Sequence, residues 1–317
     1  MNILITGACG YIGSQLVQQL QAQNKQKQWK IIATDIREQP HFDLAEGTEY
    51  VKLDVQSPEV DDIIRTKNID RVVHLATIVT PGKKSNREFE YNVDVKGTEN
   101  VLNACVAYGV KRIVISSSGA AYGYHPDNPA WLKETDQIRG NKEFAYSYHK
   151  RLVEQMLADF REKHPELEQV IFRIGTILGK NVNNQITDLF QKKYLLGISG
   201  SDSPFVFIWD QDVVSCIIQG VTGDKTGIYN IAGDGAVTVD EQAGMMNKKV
   251  IRLPPRLVKT GLFVLKRLNL TQYGEEQINF LRYRPVLDNT QLKEQFGFTP
   301  TYTSKEVFKR YIHHNWE

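Results

Sequence analysis

Short apolar runs alternate with amphipathic stretches through the first half of the chain. Runs rich in β-branched residues occur at Asn2–Thr6, Lys30–Asp35, Glu49–Leu53, Arg71–Leu75, Arg112–Ser116 and Gln169–Arg173. Between several of them, apolar positions recur at helical spacing: Tyr11–Ala22, Pro58–Thr66, Phe89–Tyr108 and Phe144–Lys163. Strand–helix alternation of this kind predicts βαβ units and a doubly wound parallel sheet, the α/β class. Strands in such a sheet are covered on both faces, so they need not alternate in polarity.

The regularity weakens after Arg173. Asn181–Pro204 is polar and irregular. Phe205–Ile208 and Ile228–Ile231 read as two further strands, with Asp210–Gly220 helical between them. Pro254-Pro255 opens a helical region, and Ser304–His314 reads as a final amphipathic helix. We therefore expect a nucleotide-binding domain over 1–173 and a smaller, mostly helical substrate lobe over 174–317. Within that lobe, 205–232 is expected to return to the main sheet. Leu257–Leu270 is the most apolar helical stretch; it is too short to span a bilayer and reads as a core helix of the second lobe.

Composition narrows the partners. The 317 residues are 41% hydrophobic and 24% charged, ordinary for a globular chain with ample core. A formal net charge of +2 gives no bias toward nucleic acid. The basic stretch Lys248–Arg267 reads as a solvated face. Cys9, Cys105 and Cys216 form no CxxC pair, and three sparse cysteines suit a reducing cytoplasm. The first strand begins at Asn2 without a charged leader, so no secretory signal and no membrane partner are expected.

The first chemistry lies at the end of the first strand. Thr6-Gly7-Ala8-Cys9-Gly10-Tyr11-Ile12-Gly13 follows Ile3-Leu4-Ile5 and opens a helix. Phosphate approaches backbone closely only where Cβ atoms are missing, and a helix start offers N–H groups to it. Gly7, Gly10 and Gly13 thus predict the pyrophosphate turn of a Rossmann dinucleotide site. Asp35 ends the second strand, 22 residues after Gly13. A carboxylate there accepts ribose hydroxyls and favours NAD, whereas Arg37 could pair with the extra phosphate of NADP.

Tyr146 and Lys150 stand four residues apart, on one face of a helix. A phenol of pKa about 10 needs roughly 3 units of downward shift to act as a base near pH 7, about 4 kcal/mol. A nearby ammonium and the charge of a bound nicotinium are the sources expected for it. Ser116-Ser117-Ser118 closes the fifth strand, where open α/β sheets bind ligands.

Taken in order, these residues resemble the extended short-chain dehydrogenase/reductase family, also called the NAD-dependent epimerase/dehydratase family. The likeness also includes Asp54-Val55, His74-Leu75-Ala76, Tyr91-Asn92-Val93-Asp94-Val95-Lys96-Gly97-Thr98, Tyr122-Gly123, Phe205-Val206-Phe207-Ile208 and Tyr229-Asn230-Ile231. It implies that Tyr11 and Ile12 join the glycine turn at the cofactor, and that Asp54 and Val55 border the adenine. It implies that Leu75, Ala76 and Thr77 line the cofactor's middle and that Asn92 steadies the active-site backbone. Lys150 is implied to bind the nicotinamide ribose and lower the Tyr146 pKa, Tyr146 to be the acid/base, and Ser118 to hold the reacting oxygen. A homodimer built on the helices Phe89–Tyr108 and Phe144–Lys163 is implied as well.

Departures from the family pattern shape the expected reaction. Gly119 and Ala120 stand where sugar-nucleotide dehydratases carry an Asp-Glu pair, so the general acid for eliminating water is missing. Ser203-Pro204 replaces a diphosphate-gripping arginine, and Arg284-Pro285 matches a second one only in part. The expectation is an NAD(P)-dependent carbonyl reductase or alcohol dehydrogenase acting on a small molecule. The alternatives are a sugar-nucleotide 4-epimerase and a non-catalytic NAD(P)-binding regulator. Val182–Ser203 and Pro254–Tyr283 are expected to build the substrate pocket.

Overall fold

The computed structural model describes residues 1–24, 28–79, 86–268, 274 and 277–316. Its centre is a seven-stranded parallel sheet of β1 (Asn2–Thr6), β2 (Lys30–Asp35), β3 (Thr48–Lys52), β4 (Arg71–His74), β5 (Arg112–Ser118), β6 (Glu168–Ile174) and, later in the chain, Gly227–Ile231. Two short strands, β7 (Thr176–Leu178) and β8 (Tyr194–Ile198), follow β6, then β9 (Phe207–Trp209), β10 (Gly227–Ile231) and β11 (Lys249–Leu253). The sheet order is β10-β6-β5-β4-β1-β2-β3. The order reverses between β1 and β4, which opens a crevice at their carboxyl ends.

Each strand feeds both layers. Ile3 and Ile5 of β1 pack on one face with Leu16 and Val17 of α1 (Tyr11–Gln23). Leu4 packs on the other face with Ile63 and Ile64 of α2 (Glu59–Thr66). That second layer also holds α4 (Gly97–Ala107) and α5 (Ala145–Lys163), and the first holds α7 (Asp210–Thr222). Burial on both faces is why β1, β2 and β4 carry apolar runs, whereas the edge strand β3 is polar at three positions and half-exposed.

Three sequence expectations change. The helix expected over Phe89–Tyr108 is broken into α3 (Arg87–Tyr91), a π-helical turn Asn92–Lys96 and α4. The wide turn sets Asp94 facing inward, where it is buried. Phe207–Trp209 pairs with β7 rather than with the main sheet, because β10 already occupies the edge beside β6. The irregular stretch 181–204 contains α6 (Gln185–Phe190) and β8, which pairs with β11.

The lobe beyond β6 has its own core. Phe190, Phe205, Phe207, Phe308 and Tyr311 form an aromatic cluster roofed by α11 (Ser304–Trp316). Also in this lobe are α8 (Val239–Met245), α9 (Pro255–Arg267) and α10 (Gln277–Arg282). The expected core helix does not go into a core. In α9 only Val258 is buried, while Leu257, Val264 and Leu265 are exposed, as is Leu268 just beyond it. Its apolar arc is wider than the small cluster of Ile198, Val258 and Ile278 that meets it. Among the described residues, no helix is long and apolar enough to cross a membrane.

Candidate active site

The glycine turn is built by close backbone packing. Gly7 adopts φ +71°, and a Cβ there would sit 2.8 Å from the Ala76 nitrogen. A Cβ on Gly13 would lie 2.1 Å from the Gly7 carbonyl oxygen. The turn can therefore fold back only as glycine, and the start of α1, with Gly10 as its cap, receives no side-chain capping bond. This leaves backbone without side chains at the crevice mouth, a surface suited to a pyrophosphate. Ile12 packs beside the core on the inner side of α1. Tyr11 turns away from the cradle: its hydroxyl donates to Asp210 Oδ2 at 2.6 Å and ties α1 to α7.

Asp35 sits over that turn. Its carboxylate accepts the Cys9 N–H at 3.0 Å and the Arg37 N–H at 3.3 Å. Tyr50, which the sequence did not single out, donates to the Arg37 carbonyl at 2.7 Å and braces the same corner. Burial pushes the Tyr50 phenol upward, as it does the Cys9 thiol. Asp54 is exposed and accepts the Gln56 N–H at 2.9 Å, holding the turn into α2. Val55 is buried against Gly97, where a Cβ would come 2.6 Å from Val55 Cγ2. Leu75, Ala76 and Thr77 follow β4 half-buried along the crevice, beside Gly7.

Ser118, Tyr146 and Lys150 converge at the carboxyl end of β5. Ser118 Oγ accepts the Ala120 N–H at 3.1 Å and hydrogen-bonds the Tyr146 phenol. Lys150 reaches under α5 and donates to the Ser116 carbonyl at 2.8 Å. Its Nζ lies 5.6 Å from the centre of the Tyr146 ring. Burial pushes the Tyr146 pKa up to about 12, opposed by the Ser118 hydrogen bond and reinforced by the Asp94 charge. Burial also lowers the Lys150 pKa, against the pull of Asp94 and Glu154. The protein alone thus keeps the phenol protonated, without the nicotinium charge that was expected to act together with Lys150. Desolvation is the largest cause, and the Lys150 ammonium directs a proton at the Ser116 carbonyl.

A buried polar network supports this group. Asp94 Oδ1 accepts the Thr77 hydroxyl at 2.9 Å and the Ile78 N–H at 2.8 Å, while Oδ2 meets His149 Nδ1 at 3.0 Å. Asp94 therefore steadies the loop after β4, and within the π turn the Asn92 carbonyl accepts the Gly97 N–H. His74 bridges Thr6 Oγ1 at 2.8 Å and Thr98 Oγ1 at 3.0 Å. Burial, with some help from the Lys150 charge, drops its pKa to about 3.

The other end of the site is aromatic. Tyr124, Phe144 and Phe280 pack together, with ring centres 5.3–6.1 Å apart. The Arg284 guanidinium lies 3.7 Å from the centre of the Phe205 ring and 4.9 Å from that of Phe280. Its Nη1 donates to Ser203 Oγ at 2.8 Å, and its buried Nε has no partner. Burial lowers its pKa to about 9, offset in part by nearby Tyr124. Positions 203 and 284, where relatives of the expected family carry arginines, are therefore neighbours, which only the folded chain reveals. Part of the expected pocket, 269–273 and 275–276, lies outside the described residues.

Comparison with known proteins places the chain in a family. The model of the NAD dependent epimerase/dehydratase family matches residues 3–232. An uncharacterized protein of Mycobacterium tuberculosis is 25% identical over 320 residues, covering 98% of this chain and 83% of that one. A UDP-glucose 4-epimerase of Halalkalibacterium halodurans is 30% identical over 188 residues, 59% of this chain and 54% of that protein. Among solved structures, the UDP-glucose 4-epimerase of Thermotoga maritima with UDP-glucose superposes with a TM-score of 0.74 at 19% identity, covering 99% of this chain and 98% of that one. MoeE5 in complex with UDP-glucuronic acid and NAD gives 0.73 at 22% identity, with the same coverage. At these identities the structural likeness speaks for the fold.

Proposed function

Because the chain belongs to the NAD dependent epimerase/dehydratase family, we propose that it is an NAD-dependent enzyme acting at a hydroxyl-bearing carbon of a sugar nucleotide. The observation that carries this is the meeting of Ser118, Tyr146 and Lys150 at the carboxyl end of β5, on the same edge of the parallel sheet as the glycine turn that follows β1. The turn around Gly7, Gly10 and Gly13 would hold the pyrophosphate, Asp35 the adenosine ribose, and Lys150 the nicotinamide ribose. When bound, the nicotinamide supplies reversible hydride acceptance.

The chain's own residues handle the proton. Ser118 holds the substrate oxygen, and Tyr146 Oη exchanges a proton with it. A phenol held at about 12 is protonated at pH 7, so Tyr146 is set to donate to a carbonyl oxygen. Working as a base at pH 7 requires added positive charge beside it, enough to offset the burial that raises its pKa. Proton transfer of this kind contributes about 10²–10⁴-fold.

A 4-epimerase outcome is favoured by Arg284. Its stacked guanidinium keeps an unpartnered Nε and suits the diphosphate of a nucleotide sugar. Gly119 and Ala120 provide no acid for dehydration, and Gly119 instead packs on Leu287. Net reduction of a simple carbonyl is the second reading, favoured by Ser203 in place of a second arginine.

The test is product analysis after incubation with UDP-glucose, UDP-galactose and simple hydroxy compounds, each with NAD or NADP. Epimerisation yields a new sugar without net nicotinamide reduction. Tyr146→Phe should lose turnover by at least 100-fold while still binding NAD. Full activity in that variant would remove Tyr146 from the mechanism.

A further inference from the structure

Asp94 is buried in the wide turn between α3 and α4, and its carboxylate joins two parts of the site. Oδ1 takes the Thr77 hydroxyl at 2.9 Å and the Ile78 N–H at 2.8 Å, both on the loop after β4. Oδ2 meets His149 Nδ1 at 3.0 Å, with both side chains almost fully buried. His149 packs its ring edge-on against Tyr91. Lys150, the next residue of α5, donates to the Ser116 carbonyl at 2.8 Å.

None of these hydrogen bonds needs a charge at position 94. A side-chain amide there would accept from Thr77 and Ile78 through its oxygen, and donate to the other tautomer of His149. What the carboxylate adds is a negative charge in a desolvated pocket, where it acts over several ångströms. Glu154, the other carboxylate near Lys150, is matched by three hydrogen bonds from Arg173. Asp94 is matched by an imidazole. Burial does most to raise the Tyr146 pKa, the Ser118 hydrogen bond opposes it, and the Asp94 charge adds to it. Burial lowers the Lys150 pKa, and the Asp94 charge pulls it back up. The other ionisable groups around the cluster are His74 on β4, held at about 3 chiefly by burial, and Tyr124 beside Tyr146. Glu90 of α3 is buried four positions before Asp94.

We propose that Asp94 is a positioning residue that works by its charge: it holds Tyr146 and Lys150 as phenol and ammonium, set to give a proton, while its hydrogen bonds hold the loop after β4. It acts through Tyr146 and Lys150 and rests on the reading of Tyr146 as the acid/base group.

The test is titration of the Tyr146 phenol in the full chain, with and without NAD, by NMR of tyrosine labelled with ¹³C at Cζ. The signal is assigned by its loss in Tyr146→Phe. Asp94→Asn keeps an acceptor for Thr77 and Ile78 and removes the charge. In that variant phenolate should begin to form at a pH lower by at least about 0.5 unit, because the charge opposing it is gone. Asp94→Ala removes the hydrogen bonds as well, and should also lower the melting temperature and weaken NAD binding several-fold. Where the incubations give turnover, the rising limb of the oxidative rate against pH should move down with the phenol in Asp94→Asn. The titration itself needs no turnover, so failure of the Tyr146 reading shows separately, as full activity in Tyr146→Phe. A folded Asp94→Asn variant that titrates like the unaltered chain would overturn the proposal. So would failure of both Asp94→Asn and Asp94→Asn/His149→Gln to fold, since the charge would then serve the fold.

Discussion

Gly13→Ala is the sharpest single probe of the cofactor cradle. The new methyl would be placed 2.1 Å from the Gly7 carbonyl oxygen and 2.9 Å from Ala8 Cα. Carbon and oxygen need roughly 3.2 Å, so about 1 Å must be recovered by moving backbone. No side chain can swing aside, since both neighbours are main-chain atoms. Gly7 is itself pressed against Ala76, so the turn cannot simply slide outward. Overpacking of this kind costs about 1–3 kcal/mol, which lowers the melting temperature by about 2–6 °C in a chain of this size. The larger effect falls on NAD, because a 1 Å displacement misplaces the N–H groups at the start of α1. Calorimetric titration should show NAD affinity reduced by at least tenfold. Gly244→Ala is the matched control: it lies exposed in α8 with nothing within 4 Å of the added carbon. Its helix propensity gain is up to about 1 kcal/mol, and NAD affinity should not change. Wild-type NAD affinity and melting temperature in Gly13→Ala would refute this account of the turn.

Two further perturbations probe the support beneath the site. Arg173 donates three hydrogen bonds to the buried Glu154 carboxylate, at 3.1, 2.9 and 2.7 Å, and so clamps α5 to β6. Arg173→Leu strands that carboxylate beside Ser117 and should cost about 3–5 kcal/mol in urea unfolding, with Arg173→Leu/Glu154→Leu recovering part of it. Buried His74, held at a pKa of about 3, makes stability fall as acidity rises. The unfolded imidazole protonates below about 6.5 while the folded one does not, so about 2 kcal/mol is lost between pH 7.5 and pH 5. Denaturant titrations at both pH values should show that loss in the native chain and a smaller one in His74→Gln; equal slopes would exclude His74 as the source.

The parts legible from sequence are those written locally. Strand runs, the glycine turn and the Tyr146–Lys150 spacing each depend on residues a few positions apart. Backbone sterics and helix periodicity read such spacing directly. Asp94 was within a noted motif, but only the folded chain shows it buried against Thr77, Ile78 and His149. Arg284 and Ser203 stand 81 residues apart, and no local pattern could say that they touch. The phenol of Tyr146 illustrates the same limit: spacing predicted a cation beside it, while the folded environment set the sign of its shift.

Helix α9 marks the boundary most clearly. Its apolar period was plain in the sequence, but the same period fits a core helix, a dimer contact or a membrane face. Which one applies depends on how much apolar surface the rest of the lobe offers, and here only Val258 finds enough. The sequence by itself determined the strand runs of the first half, the glycine turn and the helical spacing of Tyr146 and Lys150, because these follow from local sterics and chemistry. Tertiary structure alone decided which polar groups are desolvated together and which apolar face is left uncovered, because burial belongs to the whole packed chain and to no segment of it.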